Sequence, residues 1–208
     1  MKRDFKNVFR DFIDISAYYR LKLPISCPNL NRIIHIDADT LILKDLTELY
    51  SQNFEGNIIL GKLDQITSEL DSLGIYTDTY INSGLLLMDL YSLRKYNYVE
   101  KFMNYIYSNN NRKYLLHHDQ TVINFICYDK IGLLNPKYNM WPFGTEKKII
   151  EINNNFRKKY DEKEFIKDYY NPYIIHFPGG FKKKMNKNTA YKNLYNKYVD
   201  KIKEIKFL

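Results

Sequence analysis

The chain has 208 residues, 45% apolar and 27% charged, with a formal charge of +8, which fits one globular domain with a sizeable core. No run of about 18 uncharged apolar residues occurs, which excludes a transmembrane helix. Residues 1–14 mix charges with aromatics and lack the apolar stretch and cleavage site of a signal peptide, so a cytoplasmic protein is expected. The positive charge favours anionic partners: sugar nucleotides, nucleic acid or an acidic membrane surface. Cys27 and Cys127 match no zinc or redox spacing and are expected as buried free thiols.

In chain order, Phe5, Val8, Phe12, Ile15 and Tyr19 recur at helical spacing and predict a helix over residues 5–23, closed by Pro24 and Pro28. The short apolar run from Ile33 to Ile36 predicts a buried strand over residues 32–37. Residues 41–50 read as a short strand followed by a helical turn, and residues 57–63 as another strand. Asn82-Ser83-Gly84 reads as a polar turn before the apolar run Leu85 to Met88, after which Asp89 is placed to cap a helix. Residues 118–128 form an amphipathic helical pattern with Val122, Phe125 and Ile126 inward. Residues 133–138 read as extended, and residues 173–177 as a late strand ending in Pro178-Gly179-Gly180. Residues 189–207 have helical periodicity and a Lys-rich face, and the Asn-rich pieces at 108–111 and 153–155 read as surface loops. Alternating strands and helices predict α/β layering.

Three groups of residues carry chemistry. Asp37-x-Asp39 follows a strand, and residues two apart on an extended chain share a side. Two carboxylates so placed repel unless a cation or hydrogen-bond donors neutralise them, and hard oxygen ligands suit Mg²⁺ or Mn²⁺. A strand-end turn with one Asp capping its neighbour produces the same pattern. His176 ends the late strand beside a Gly turn, where neutral imidazole can ligate a metal; a packed or capped histidine fits there too. The glycines after it let backbone N–H groups approach phosphate, with Lys182 adding a cation. Asp119-Gln120 opens a helix, which suits either the helix dipole or the binding of sugar hydroxyls. His35, inside a strand, reads as packing, and His117 and His118 as ambiguous.

These fragments occur together and in order. Tyr18-Tyr19-Arg20-Leu21, RIIHIDADTLILKDLTELY (32–50), YINSGLLLMDLYSLRKY (80–96), HDQTVIN (118–124), NPKYNMWP (135–142) and HFPGGFK (176–182) resemble the retaining glycosyltransferases of family 8. That family includes bacterial lipopolysaccharide galactosyl- and glucosyltransferases and glycogenin. The resemblance implies a single α/β domain of the Rossmann-like, mixed-sheet GT-A type. It implies Asp37, Asp39 and His176 as ligands of Mn²⁺ or Mg²⁺, and Gly179 and Lys182 as contacts of the donor diphosphate. Arg20 would reach the donor sugar or its phosphate, Asn82 and Ser83 would line the sugar pocket, and Asp119 and Gln120 would lie near the anomeric carbon as the catalytic pair. The implied reaction moves glucose or galactose from a UDP-hexose to a glycan or glycolipid acceptor with retention.

Two departures accompany the resemblance. The family's first strand and nucleobase loop precede the Tyr-x-Arg-Leu segment by tens of residues, so an N-terminally truncated domain is expected over residues 1–186. Lys182 is followed by Lys183-Lys184-Met185 where the family has Pro-Trp, which implies a looser phosphate loop. A non-catalytic or truncated binding protein of the same fold is the alternative. No helix-turn-helix, RNP or zinc pattern supports a nucleic-acid partner. Residues 187–208 form a separate basic amphipathic helix, expected either to pack on the domain or to place the protein peripherally on an anionic membrane surface at its inner face.

Overall fold

The structure, a computed structural model, describes residues 15–65, 71, 74, 76–108, 115, 117–156, 158–179 and 191–204. Its centre is a four-stranded mixed sheet of β1 (Arg32–Ile36), β3 (Ile59–Leu63), β4 (Ile81–Asp89) and β5 (Ile131–Leu133), ordered β1-β4-β3-β5. β4 runs antiparallel to both neighbours, and β3 pairs β5 in parallel. A two-stranded antiparallel ribbon of β2 (Thr40–Ile42) and β6 (Ile174–His176) lies beside the sheet. The expected α/β layering is present.

Side-chain alternation sorts the core into two layers, as a strand period of two requires. Leu86 and Met88 of β4 join Ile59, Tyr18, Phe102, Val122 and Ile123 on one face. Leu85 and Leu87 join Leu60, Leu49, Tyr138 and Ile174 on the other. β4 is therefore covered on both faces, and its apolar run is continuous because neither face meets water.

Several sequence expectations need correction here. Asn82-Ser83-Gly84 is not a turn: all three lie inside β4 and are buried, because their polar groups are bonded within the site described below. β1 is half-buried at every position, not fully buried, because it pairs with β4 alone and forms the sheet's edge among the described residues. Of the helix predicted over residues 5–23, residues 5–14 lie outside the described residues. The remainder is a 3-10 helix, Ile15–Lys22, followed by α1 (Leu23–Ser26). Pro24 sits inside the first turn of α1, where its missing N–H costs nothing, so it does not close the helix.

α2 (Thr47–Tyr50) is the predicted helical turn, and α3 (Leu90–Lys95) is capped as expected, Asp89 accepting from the Ser92 N–H at 3.0 Å. α4 (Tyr98–Tyr107) buries Tyr98, Phe102 and Ile106 at helical spacing. α5 (Asp119–Ile126) turns Val122 and Ile123 inward, but Phe125 is 42% exposed and stacks on Tyr105 instead. The inward stripe is displaced because Gln120 and Asn124, one turn apart, also face β4. Residues 136–138 form a 3-10 turn after β5, not a continuous extended segment.

α6 (Glu146–Asn155) and α7 (Glu162–Tyr170) pack against each other over Leu63, Met140, Phe156 and Phe165. Asn153 belongs to α6 and is buried, not a surface-loop residue: its amide brackets the backbone N–H and C=O of Tyr160. α8 (Lys192–Glu204) rests its first half on the domain, with Tyr191, Leu194 and Tyr195 against Ile175 and Phe177. Its last turns are exposed. No helix among the described residues is long and apolar enough to cross a membrane. Both cysteines are free, Cys127 buried and Cys27 half-buried.

Candidate active site

The site forms where β1 ends. The Asp37 N–H continues the β1–β4 ladder by donating to the Gly84 carbonyl at 2.8 Å, and the Thr40 hydroxyl donates to the Asp37 carbonyl at 3.0 Å. This turn sends the chain into β2, whose Thr40 pairs with His176 in β6. The Phe177 N–H donates to the Asp39 carbonyl at 2.9 Å. The ribbon thereby brings His176 to the two carboxylates. One ligand atom each from Asp37, Asp39 and His176 lies within 4.8 Å of the others.

The orientation of His176 follows from a chain of amides. The Gly84 N–H donates to Asn82 Oδ1 at 3.0 Å, which fixes that atom as the oxygen. Asn139 Nδ2 donates to the same oxygen at 3.1 Å, so Asn139 Oδ1 faces His176 Nδ1 at 2.9 Å and accepts its proton. In the neutral ring, Nε2 then presents a lone pair to Asp39 Oδ1 at 3.1 Å. A lone pair facing a carboxylate oxygen at that distance is repulsive unless a proton or a cation lies between them. Two carboxylates and an imidazole with a bonded second nitrogen are a donor set that fits a divalent cation.

The same amide chain continues away from the histidine. Asn82 Nδ2 donates to Asp64 Oδ2 at 3.0 Å and to Gln120 Oε1 at 3.1 Å. Gln120 Oε1 also accepts the Ser83 N–H at 3.0 Å, and its Nε2 donates to Asp64 Oδ2 at 3.0 Å. Both lone pairs of the Gln120 oxygen are thus engaged. Asn124 anchors α5 to the start of β4 by bonding the N–H and C=O of Ile81 at 2.7 and 2.8 Å.

Arg20 ties the two halves together. Its Nη2 donates to Asp37 Oδ1 at 2.7 Å, its Nε lies 3.1 Å from Asp119 Oδ2, and its Nη1 bonds the Ser83 carbonyl. Asp119 stands at the start of α5, directly after His118, which holds a left-handed φ of 54°. Such a conformation in a non-glycine residue stores strain. The Asp119 carboxyl is pushed up to about 6, first by burial, against the pull of the Arg20 guanidinium and the Ser83 hydroxyl.

The sign of that shift makes a prediction. An unfolded Asp titrates near ~4. The folded state holds its proton to higher pH, so stability falls as pH rises from about 4 to about 6, and the cost is fully present above that. Asp119→Asn is expected to raise the urea midpoint at pH 7 and to leave it unchanged at pH 4. Equal midpoints at pH 7 would contradict the assignment.

Of the residues singled out from sequence, Arg20, Asp37, Asp39, Asn82, Ser83, Asp119, Gln120 and His176 converge in this one region. Ser83 contributes through its backbone as well as its hydroxyl. Gly179 lies exposed three residues beyond His176 with a left-handed φ of 41°, a conformation that suits glycine. Lys182 lies outside the described residues. His35 is half-buried within β1, and burial lowers its imidazole to about 4, as a packing residue would show.

Asp64 and Asn139 were missed. Asp64 follows β3 as a lone acid, and Asn139 shares the NPKYNMWP segment with Asn135, so neither stands out until the fold brings both to Asn82.

The sequence profile of glycosyl transferase family 8 matches residues 2–183. The chain belongs to glycosyltransferase family 8. General stress protein A of Bacillus subtilis is 34% identical to it over 170 residues, covering 79% of this chain and 57% of the relative. Lipopolysaccharide 1,2-glucosyltransferase of Escherichia coli is 25% identical over 173 residues, covering 79% and 48%. Among solved structures, the galactosyltransferase LgtC, in complex with donor and acceptor sugar analogs, superposes with a TM-score of 0.65 at 20% identity, over 85% of this chain and 64% of LgtC. The bifunctional glycosyltransferase WbbM has a TM-score of 0.65 at 17% identity, over 90% and 38%. These likenesses establish the GT-A type of fold. This family 8 chain spans about half the length of the curated relatives it matches.

Proposed function

We propose that this family 8 chain is a retaining hexosyltransferase that moves glucose or galactose from a UDP-sugar to a glycan or lipid-linked glycan. The convergence of Asp37, Asp39 and His176 carries the proposal, because that donor set fits Mn²⁺ or Mg²⁺ beside a cluster of buried polar groups. When bound, the cation supplies Lewis-acid stabilisation for the negative charge on a leaving diphosphate. Asp37, Asp39 and His176 would hold it, with Asn139 fixing the imidazole tautomer. Gly179 and Lys182 would meet the diphosphate.

Arg20 would position Asp37 and Asp119, leaving Asp119 to accept sugar hydroxyls near the anomeric carbon. Asn82 and Ser83 would line the sugar pocket, and Gln120 would hold its shape. Because the Gln120 oxygen already accepts two hydrogen bonds, attack by the acceptor hydroxyl on the departing face is favoured over a Gln120 nucleophile.

Calorimetry with Mn²⁺ and UDP, together with UDP release from UDP-glucose and UDP-galactose, tests the reading. Coupled uptake of both ligands and metal-dependent release are expected. Asp39→Ala is expected to weaken Mn²⁺ uptake by at least ~10-fold, as loss of even an outer-shell partner does. Binding of both ligands equally well by that variant would refute the site.

The exposed end of α8 supports a peripheral membrane position for a lipid-linked acceptor. Ile202 is 59% exposed, and Lys197, Lys201 and Lys203 are exposed on the same helix, Lys203 pairing with Asp200 at 2.9 Å. Each lysine near an anionic surface contributes about 1 kcal/mol. Co-sedimentation with anionic vesicles, lost on neutral vesicles and at high salt, is expected. Equal partitioning onto both would oppose it.

A further inference from the structure

Lys62 is the fourth residue of the buried strand β3 and is 0% exposed. Its Nζ has no hydrogen-bond partner among the described residues. It lies 3.8 Å from the ring centroid of Trp141, with Phe143 at 5.9 Å and Phe156 at 5.8 Å completing an aromatic box. An amine taken out of water without a hydrogen bond is costly, and a cation on an aromatic face offsets only part of that cost. A methionine would fill the same volume without the penalty. The mechanism proposed above does not use this lysine.

What the box holds is the segment of residues 139–143. Asn139 sets the His176 tautomer and bonds Asn82. Met140 donates its N–H to the Ile174 carbonyl at 3.0 Å and accepts the His176 N–H at 2.8 Å. Trp141 and Phe143 then close over Lys62. The segment thus touches His176 through one side chain and one backbone bond, and it is gripped from below at its tryptophan.

We infer that Lys62 is a positioning residue: its amine, stacked on Trp141, clamps residues 139–143 so that Asn139 keeps His176 aimed at the two carboxylates. The inference rests on the metal reading of that triad. The clamp is strongest when the amine carries its proton, since the ring attracts the cation. Burial lowers the Lys62 amine to about 7, with the Asp64 carboxylate opposing the shift. Nearby, the Tyr160 hydroxyl accepts the N–H of the next residue, Leu63, at 2.9 Å and is held neutral by burial. The clamp therefore loosens across neutral pH.

Trp141 is the sole tryptophan of the chain, so its fluorescence reads the amine directly. Emission is expected to change between pH 5.5 and 9 with a midpoint at about 7 in the wild type, and to stay flat in Lys62→Met. Calorimetry is expected to show Mn²⁺ affinity lowered roughly 2- to 30-fold in Lys62→Met at pH 6, the range for residues acting through a neighbour. The variant should also melt about 2–4 °C higher or more, because the buried amine is gone. A structural filler would shift the melting temperature alone. No emission change in the wild type, or the same change in Lys62→Met, overturns the clamp. Unchanged Mn²⁺ affinity in the variant overturns its positioning role. If the wild type takes up no Mn²⁺, the metal reading fails by itself, and the emission titration still decides the clamp.

Discussion

Gly84→Ala is expected to abolish tight Mn²⁺ binding while the chain still folds. Gly84 lies in β4, opposite the tip of the β2–β6 ribbon. A Cβ built there overlaps His176 Cε1 and comes within 2.6 Å of Nδ1 and 2.9 Å of Asn82 Oδ1. His176 cannot yield outward, because Asn139 holds its Nδ1 and the ring is 2% exposed. The added methyl must therefore push the imidazole away from Asp39 or break its bond to Asn139. Either outcome removes one ligand or its tautomer control, and such losses cost at least ~10- to 100-fold in metal affinity. Overpacking a well-filled site costs about 1–3 kcal/mol of stability. Calorimetry with Mn²⁺ and a urea melt separate the two effects. A Gly84→Ala chain that binds Mn²⁺ like the wild type would show that His176 is not held as described.

Arg20→Met is expected to be the most destabilising single change in the site. The guanidinium is 8% exposed and touches Asp37, Asp119 and the Ser83 carbonyl together. Methionine fills much of the space but leaves the Asp119 carboxylate, 4% exposed, without its counter-charge. Removing one partner of a buried ion pair costs about 3–5 kcal/mol. The Asp119 carboxyl, already raised by burial, should rise further, so the loss is largest at pH 7 and shrinks toward pH 4, where the folded acid is protonated. Arg20→Lys is not expected to restore stability, since one ammonium cannot meet three acceptors held in a fixed fork. Urea midpoints of both variants at pH 4 and pH 7 check this. A loss independent of pH would point to lost packing and not to the carboxylates.

The sequence by itself determined the family, the strands that flank the Asp37-Ala38-Asp39 motif, and the residue types of the candidate metal set. It did so because these signals are local. A short apolar run bounded by turns makes a strand, Asp89 caps its own helix through Ser92 three residues on, and a carboxylate pair two residues apart shares a side. The amphipathic pattern of residues 118–128 was legible for the same reason, although Phe125 was assigned to the wrong face. Gln120 and Asn124 also had to face β4, and periodicity of apolar residues is blind to a polar inward stripe.

Only the tertiary structure decided the rest, and the reason is distance along the chain. The Asn82–Asn139 and Asn139–His176 bonds span 57 and 37 residues, and no spacing rule reaches so far. Asn82-Ser83-Gly84 looked like a turn because three small polar residues favour turns locally. Inside the fold their hydrogen-bonding groups are met by Asp64, Gln120 and Asn139, and the missing Cβ of Gly84 makes room for an imidazole. A buried strand can carry polar residues when other elements supply every partner, and those partners exist only once the chain has folded.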